Sequence, residues 1–95
     1  MDETKFLELA DAELNRLQDA IESESDDAEC TRSGNVLSIV TDDGPEVVVN
    51  IQTPMREIWL ASLRGGYHFR LEDGVWKERR TGETLEARLR AAMKP

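Results

Sequence analysis

Two hydrophobic periods divide this chain, one of roughly 3.6 residues and then one of about two. Over residues 3–24, Phe6, Leu9, Ala10, Leu14, Leu17 and Ile21 fall on one face of a helix, and Glu8, Asp11, Asn15, Asp19 and Glu22 fall opposite. That spacing predicts one amphipathic helix. Asp2 or Thr4 can cap its start, and its early acids suit the positive end of the helix dipole. The small and acidic run from Ser23 to Asp27 ends the pattern. From residue 28 alternation takes over and predicts strands at 28–32, 36–41, 46–51, 57–61, 67–71 and 75–79. The separators are turn chemistry: Ser33-Gly34-Asn35, Asp42-Asp43-Gly44-Pro45, Arg64-Gly65-Gly66 and Glu72-Asp73-Gly74. Such short links force antiparallel neighbours, because a parallel crossover needs about a dozen residues. A second helix is predicted at 83–93, entered through Thr81 and Gly82, with Leu85, Leu89, Ala92 and Met93 on one face.

Alternation also sorts the sheet into two faces. Leu37, Ile39, Val47, Val49, Ile51, Ile58, Leu60, Tyr67, Phe69 and Leu71 are predicted to face the helices. Ser38, Val48, Asn50, Gln52, Trp59, His68, Arg70, Lys77 and Arg79 then line the other face. An antiparallel sheet can leave one face in water, so the expected fold is α+β. It is a two-layer α-β sandwich, with both terminal helices on one face of about six strands. Residues 1–95 make one domain, with no repeat and no linker.

Charge sharpens the picture. Residues 1–30 hold eleven acids against Lys5 and Arg16, a local charge of −9, and the remainder carries +1 to complete the net −8. A local field of this sign recruits cations and basic partners and repels nucleic acid and anionic membrane. No run approaches the roughly 20 apolar residues that span a bilayer. The opening MDETKF resembles neither a signal nor a transit peptide, and Cys30 is the only cysteine. A cytoplasmic location is expected.

Asn50-Ile51-Gln52-Thr53-Pro54, followed by Glu57-Ile58-Trp59-Leu60-Ala61, resembles the signature of the frataxins. Gly65-Gly66-Tyr67-His68-Phe69 is similar to the bacterial (CyaY) members, and Gly82-Glu83-Thr84 opens a last helix as in that family. The resemblance implies two helices on one face of an antiparallel sheet. It implies weak binding of iron (Fe²⁺ or Fe³⁺) through carboxylates, with other divalent cations as possible ligands. It also implies docking on the cysteine desulfurase and scaffold protein that build iron–sulfur clusters, by a chain that is monomeric without metal. Carried over, the acidic ridge is Asp11, Asp19, Glu22, Glu24, Asp26, Asp27 and Glu29. The partner-binding residues carried over are Asn50, Gln52 and Trp59, and His68 joins them on the reading of its own strand position. The chain departs from the family at three points. Its first loop is shorter, with Ser23 and Ser25 thinning the ridge. Glu57 stands where many members carry Gln, and His68 where eukaryotic members carry Arg. It also stops at Pro95 without the tail that in some members covers the groove between the helices.

Each feature has a plainer explanation. A charged helix face is usually just solvated, although carboxylates suit hard cations and iron. Their spacing here predicts no preformed cage, hence weak and unselective binding. A lone strand histidine is more often structural than a ligand, so His68 is read as a partner contact. Acids flanking Cys30 would raise its pKa, which predicts a packing role. Trp59 could merely cover the sheet. Its place between Asn50 and Gln52 on an open face favours the centre of a docking patch. Trp76 is read as core or edge packing. No nucleophile stands beside a base, and the glycines read as turns, so no enzyme is expected. The alternative is an iron chaperone or store with weak ferroxidase activity carried by the ridge.

Overall fold

The computed structural model describes residues 1–95 as α1 (Glu3–Glu24), β1 (Glu29–Ser33), β2 (Val36–Val40), β3 (Val47–Gln52), β4 (Glu57–Ser62), β5 (Gly65–Glu72), β6 (Val75–Glu78) and α2 (Leu85–Ala92). The strands form one antiparallel meander in sequence order, β1 to β6. Phe6, Ala10, Leu14, Leu17 and Ile21 of α1 bury against Leu37, Ile39, Val47, Val49, Ile51, Ile58, Leu60 and Phe69, with Leu85, Leu89 and Ala92 of α2 in the same core. Both helices therefore cover one face of the sheet, as the two periods predict. Tyr67 and Leu71 are partly buried at its margin. Trp76 belongs to the core, its ring edge-on to Phe6 with centroids 6.0 Å apart.

Turn chemistry fixes the register. Asp73-Gly74 joins the pair Glu72–Val75 with φ of 51° and 81°. This two-residue turn with positive φ at both positions matches the twist of its strands. The link between β4 and β5 departs from expectation. Ser62 pairs with Gly65, so Leu63-Arg64 is the turn and Gly65-Gly66 are strand residues, not the hairpin. Two residues suffice to reverse the chain, and Gly65 enters the strand at φ 131°, where glycine is favoured.

α2 is shorter than predicted. Glu78 N donates to Glu83 O and Gly82 N to Glu78 O, both at 2.8 Å. Thr84 also bridges to Lys77. Tied to β6 in this way, residues 82–84 cannot enter the helix. Thr84 caps it instead, accepting from Ala87 N at 3.1 Å. Glu78 sits on the helix-facing side with a nearly buried carboxylate, which accepts from Arg80 N and Thr81 N at 2.8 and 3.2 Å. Arg79 lies beyond the end of β6, outside the face assigned to it. No helix is long and apolar enough to cross a membrane.

Candidate functional site

The acidic residues are placed by α1, the turn that ends it, and β1. Asp2 caps α1 by accepting from Lys5 N at 2.8 Å. The apolar stripe of α1 then turns its opposite face to water. All seven ridge carboxylates, Asp11, Asp19, Glu22, Glu24, Asp26, Asp27 and Glu29, are exposed. The structure divides them by partner. Asp11 is engaged by Arg32 Nη2 at 2.5 Å, and Arg32 also donates to Asn15 Oδ1 at 3.1 Å. Glu24 is engaged by Arg90 of α2 at 2.5 and 3.1 Å. Arg90 and Arg16 both bind Glu86, so a charge ladder crosses between the helices. Those two arginines hold the Glu86 carboxyl below the usual carboxylate range. Asp27 accepts from the Ser25 hydroxyl at 2.6 Å and from Asp42 N at 3.4 Å, which also lowers its pKa. Asp19, Glu22, Asp26 and Glu29 have no cationic partner.

No three of these groups converge into a cation cage. The uncommitted four are hard oxygen ligands spread over an open surface, an arrangement suited to shallow, exchangeable binding of a divalent cation. Cys30 follows Glu29 on β1 and is half-buried. Burial raises its thiol pKa first and the Glu22 charge second, so the acids that sequence reasoning invoked are the smaller cause.

The second group lies on the uncovered face of the sheet. Asn50, Trp59 and His68 form one row across β3, β4 and β5. The Trp59 indole stacks on the His68 ring, with centroids 4.1 Å apart and planes within 6°. Gln52 lies one row on, its Nε2 donating to Asn50 Oδ1 at 2.6 Å. The four predicted residues are thus brought together.

Sequence reasoning missed the group beneath them. Glu57 shares Trp59's face yet is only 1% exposed. Its Oε1 accepts from Trp59 Nε1 and its Oε2 from Arg70 Nε, each at 2.8 Å, and His68 Nδ1 lies 3.7 Å away. Burial alone would raise its pKa, but the bonds from Trp59 and Arg70, with the charges of Arg70 and His68, outweigh it and the pKa falls. The available signal was the two-residue spacing from Trp59, which sets both side chains on one face.

A family model for the frataxin-like domain matches residues 1–95. The chain belongs to the frataxin-like family. Among its relatives, an iron-sulfur cluster assembly protein CyaY from Ralstonia nicotianae is 48% identical over 87 residues, spanning 87% of this chain and 77% of the relative. The protein of that name from Vibrio cholerae is 47% identical over 85 residues, covering 90% and 82% of the two chains. Among solved structures, the frataxin of Psychromonas ingrahamii superposes with a TM-score of 0.90 at 28% identity, over 97% of this chain and 88% of that one. A trimeric frataxin from Saccharomyces cerevisiae, described as complexed with ferrous, superposes at 0.74 with 29% identity, over 90% and 85%. A frataxin-like meander with two covering helices is therefore the shared frame on which both residue groups stand.

Proposed function

We propose that this protein binds iron weakly at its acidic ridge and modulates iron–sulfur cluster assembly by docking on the cysteine desulfurase and its scaffold protein. The observation that carries the reading is the division of the ridge. Asp19, Glu22, Asp26 and Glu29 stay free of cations in a chain that pairs Asp11 and Glu24 with arginines. Four uncompensated carboxylates spread over one exposed surface make a local negative field, and a cation or a basic partner surface relieves it. The names of the CyaY relatives point to cluster assembly rather than to an enzyme, and the ferrous complex of the yeast relative points to iron. Iron bound to the ridge would partly neutralise it and weaken its attraction for a basic desulfurase surface. The Trp59 face would meet the scaffold.

The test is the rate of cluster formation by purified desulfurase and scaffold, with and without this protein, across iron concentrations. An iron-dependent change in rate is expected. A rate indifferent to the protein at every iron concentration would sink the reading. Iron-dependent oxygen uptake by the protein alone would instead favour an iron store with weak ferroxidase activity, a reading for which the yeast ferrous complex is the motivating observation.

A further inference from the structure

The geometry points to Glu57 as a positioning residue that locks the Trp59 indole, so that a partner meets apolar ring surface rather than a hydrogen-bonding group. This rests on the docking role proposed above for the sheet face.

The uncovered face of a sheet gives no packing reason to bury a carboxylate, and an unpaired buried charge is strongly unfavourable. Glu57 is nonetheless among the most buried side chains of the protein, and both of its oxygens are used. The indole has a single donor, Nε1–H, and Glu57 takes it. Rotation of the ring about its side-chain torsions would break that bond and the parallel stack on His68. Two contacts from different strands therefore hold one ring in the free protein. An anchor held this way does not lose side-chain freedom on binding, which is how preorganisation raises affinity.

The same geometry sets what a partner must offer. With Nε1 committed, an acceptor placed opposite the indole gains nothing, whereas an apolar side chain laid on the ring buries area. Arg70 commits its Nε to Glu57 and has no partner for its two terminal nitrogens. They can receive a carbonyl or carboxylate beside the apolar contact. The fitting partner is thus an apolar side chain flanked by an acceptor, with the Asn50–Gln52 amides as a polar rim.

The test compares Glu57→Leu, Glu57→Gln and Trp59→Ala by scaffold affinity, and by the two indole N–H resonances, assigned through Trp59→Phe. In Glu57→Leu the Trp59 indole proton should exchange with water about tenfold faster, and scaffold affinity should fall about tenfold. Glu57→Gln keeps an acceptor and should hold both values within about threefold of the parent. An indole signal unmoved by Glu57→Leu overturns the proposal. So does unchanged affinity in that variant while Trp59→Ala binds weakly. If Trp59→Ala binds normally, the docking role of the face is wrong, and the locking role is judged by the indole exchange alone. Should Glu57→Leu fail to fold, a double-mutant cycle of Glu57→Met, which keeps the length of the side chain without an acceptor, with Trp59→Phe replaces it. Coupled losses support the proposal and additive ones overturn it.

Discussion

A buried carboxylate whose pKa is depressed makes the fold sensitive to acid. Glu57 lies below its ordinary value of 4.5 in the folded chain, so its ionised form stabilises the fold at neutral pH. That contribution is complete above the ordinary value and is lost as pH falls through it toward the folded pKa. Glu57→Gln should lower stability at neutral pH and flatten its decline below about pH 4.5, read from denaturant midpoints in a pH series. An unchanged acid limb would show that Glu57 is not the paired charge described. Cys30 gives a second check at this scale. Its raised pKa leaves little thiolate at neutral pH, so alkylation should be slower than that of a free model thiol. Glu22→Gln should speed it only modestly, because burial is the larger cause. Alternation made Asn50, Gln52, Trp59 and His68 legible in the sequence, since a period of two decides the face and strand pairing does the rest. It hid Glu57, because an acid on an open face reads as exposed. The division of the ridge was also hidden: Arg32 and Arg90 reach Asp11 and Glu24 from 21 and 66 residues away.

Of the two helices, α2 is held by the smaller buried face. It has eight residues and buries Leu85, Leu89 and Ala92. Its C-terminal carbonyls are met from across the fold, where Arg64 donates to Ala91 O at 2.8 Å, Pro95 O at 3.1 Å and Lys94 O at 3.2 Å. The loop before β3 presses on the same end, and a Cβ on Gly44 would lie 2.3 Å from Met93 O. Leu89→Ala should cost about 2–5 kcal/mol, which in a domain of this size lowers the melting temperature by roughly 10 °C or more. Arg64→Ala removes exposed hydrogen bonds and should cost about 1 kcal/mol or less. Comparable melting temperatures for the two variants would mean that α2 is held by its end and not by its buried face. The bounds of α1 were legible to the residue, because the stripe is long, and of the two caps the sequence offers the structure uses Asp2. The start of α2 was not, because its last turn before Leu85 is claimed by hydrogen bonds to β6. Likewise Gly65-Gly66 carries turn residues that pairing with Ala61 and Ser62 draws into a strand.

Across the whole molecule, the position of charge should matter more than its amount. Replacing Asp19, Glu22, Asp26 and Glu29 by Asn or Gln removes four charges from the uncommitted ridge. Replacing Asp42, Asp43, Glu72 and Asp73 removes four from exposed turns. Only the first set should abolish iron binding and weaken desulfurase affinity, and it should flatten the salt dependence of that affinity. Equal losses measured by titration calorimetry would leave net charge as the sole explanation. The strand order has a consequence in the time domain. Every sheet pairing joins neighbours in sequence, so the hairpins can close one after another as the chain emerges. The first helix is covered in two stages, first by β1 and β3 and last by the residues of β6 and α2. Its Phe6 waits for Trp76, and its Arg16 waits for Glu86, 70 residues later. During synthesis the part of the stripe that these late residues cover stays bare, beside a ribosome made largely of RNA. The eleven acids of the opening residues would repel that surface until the last helix arrives.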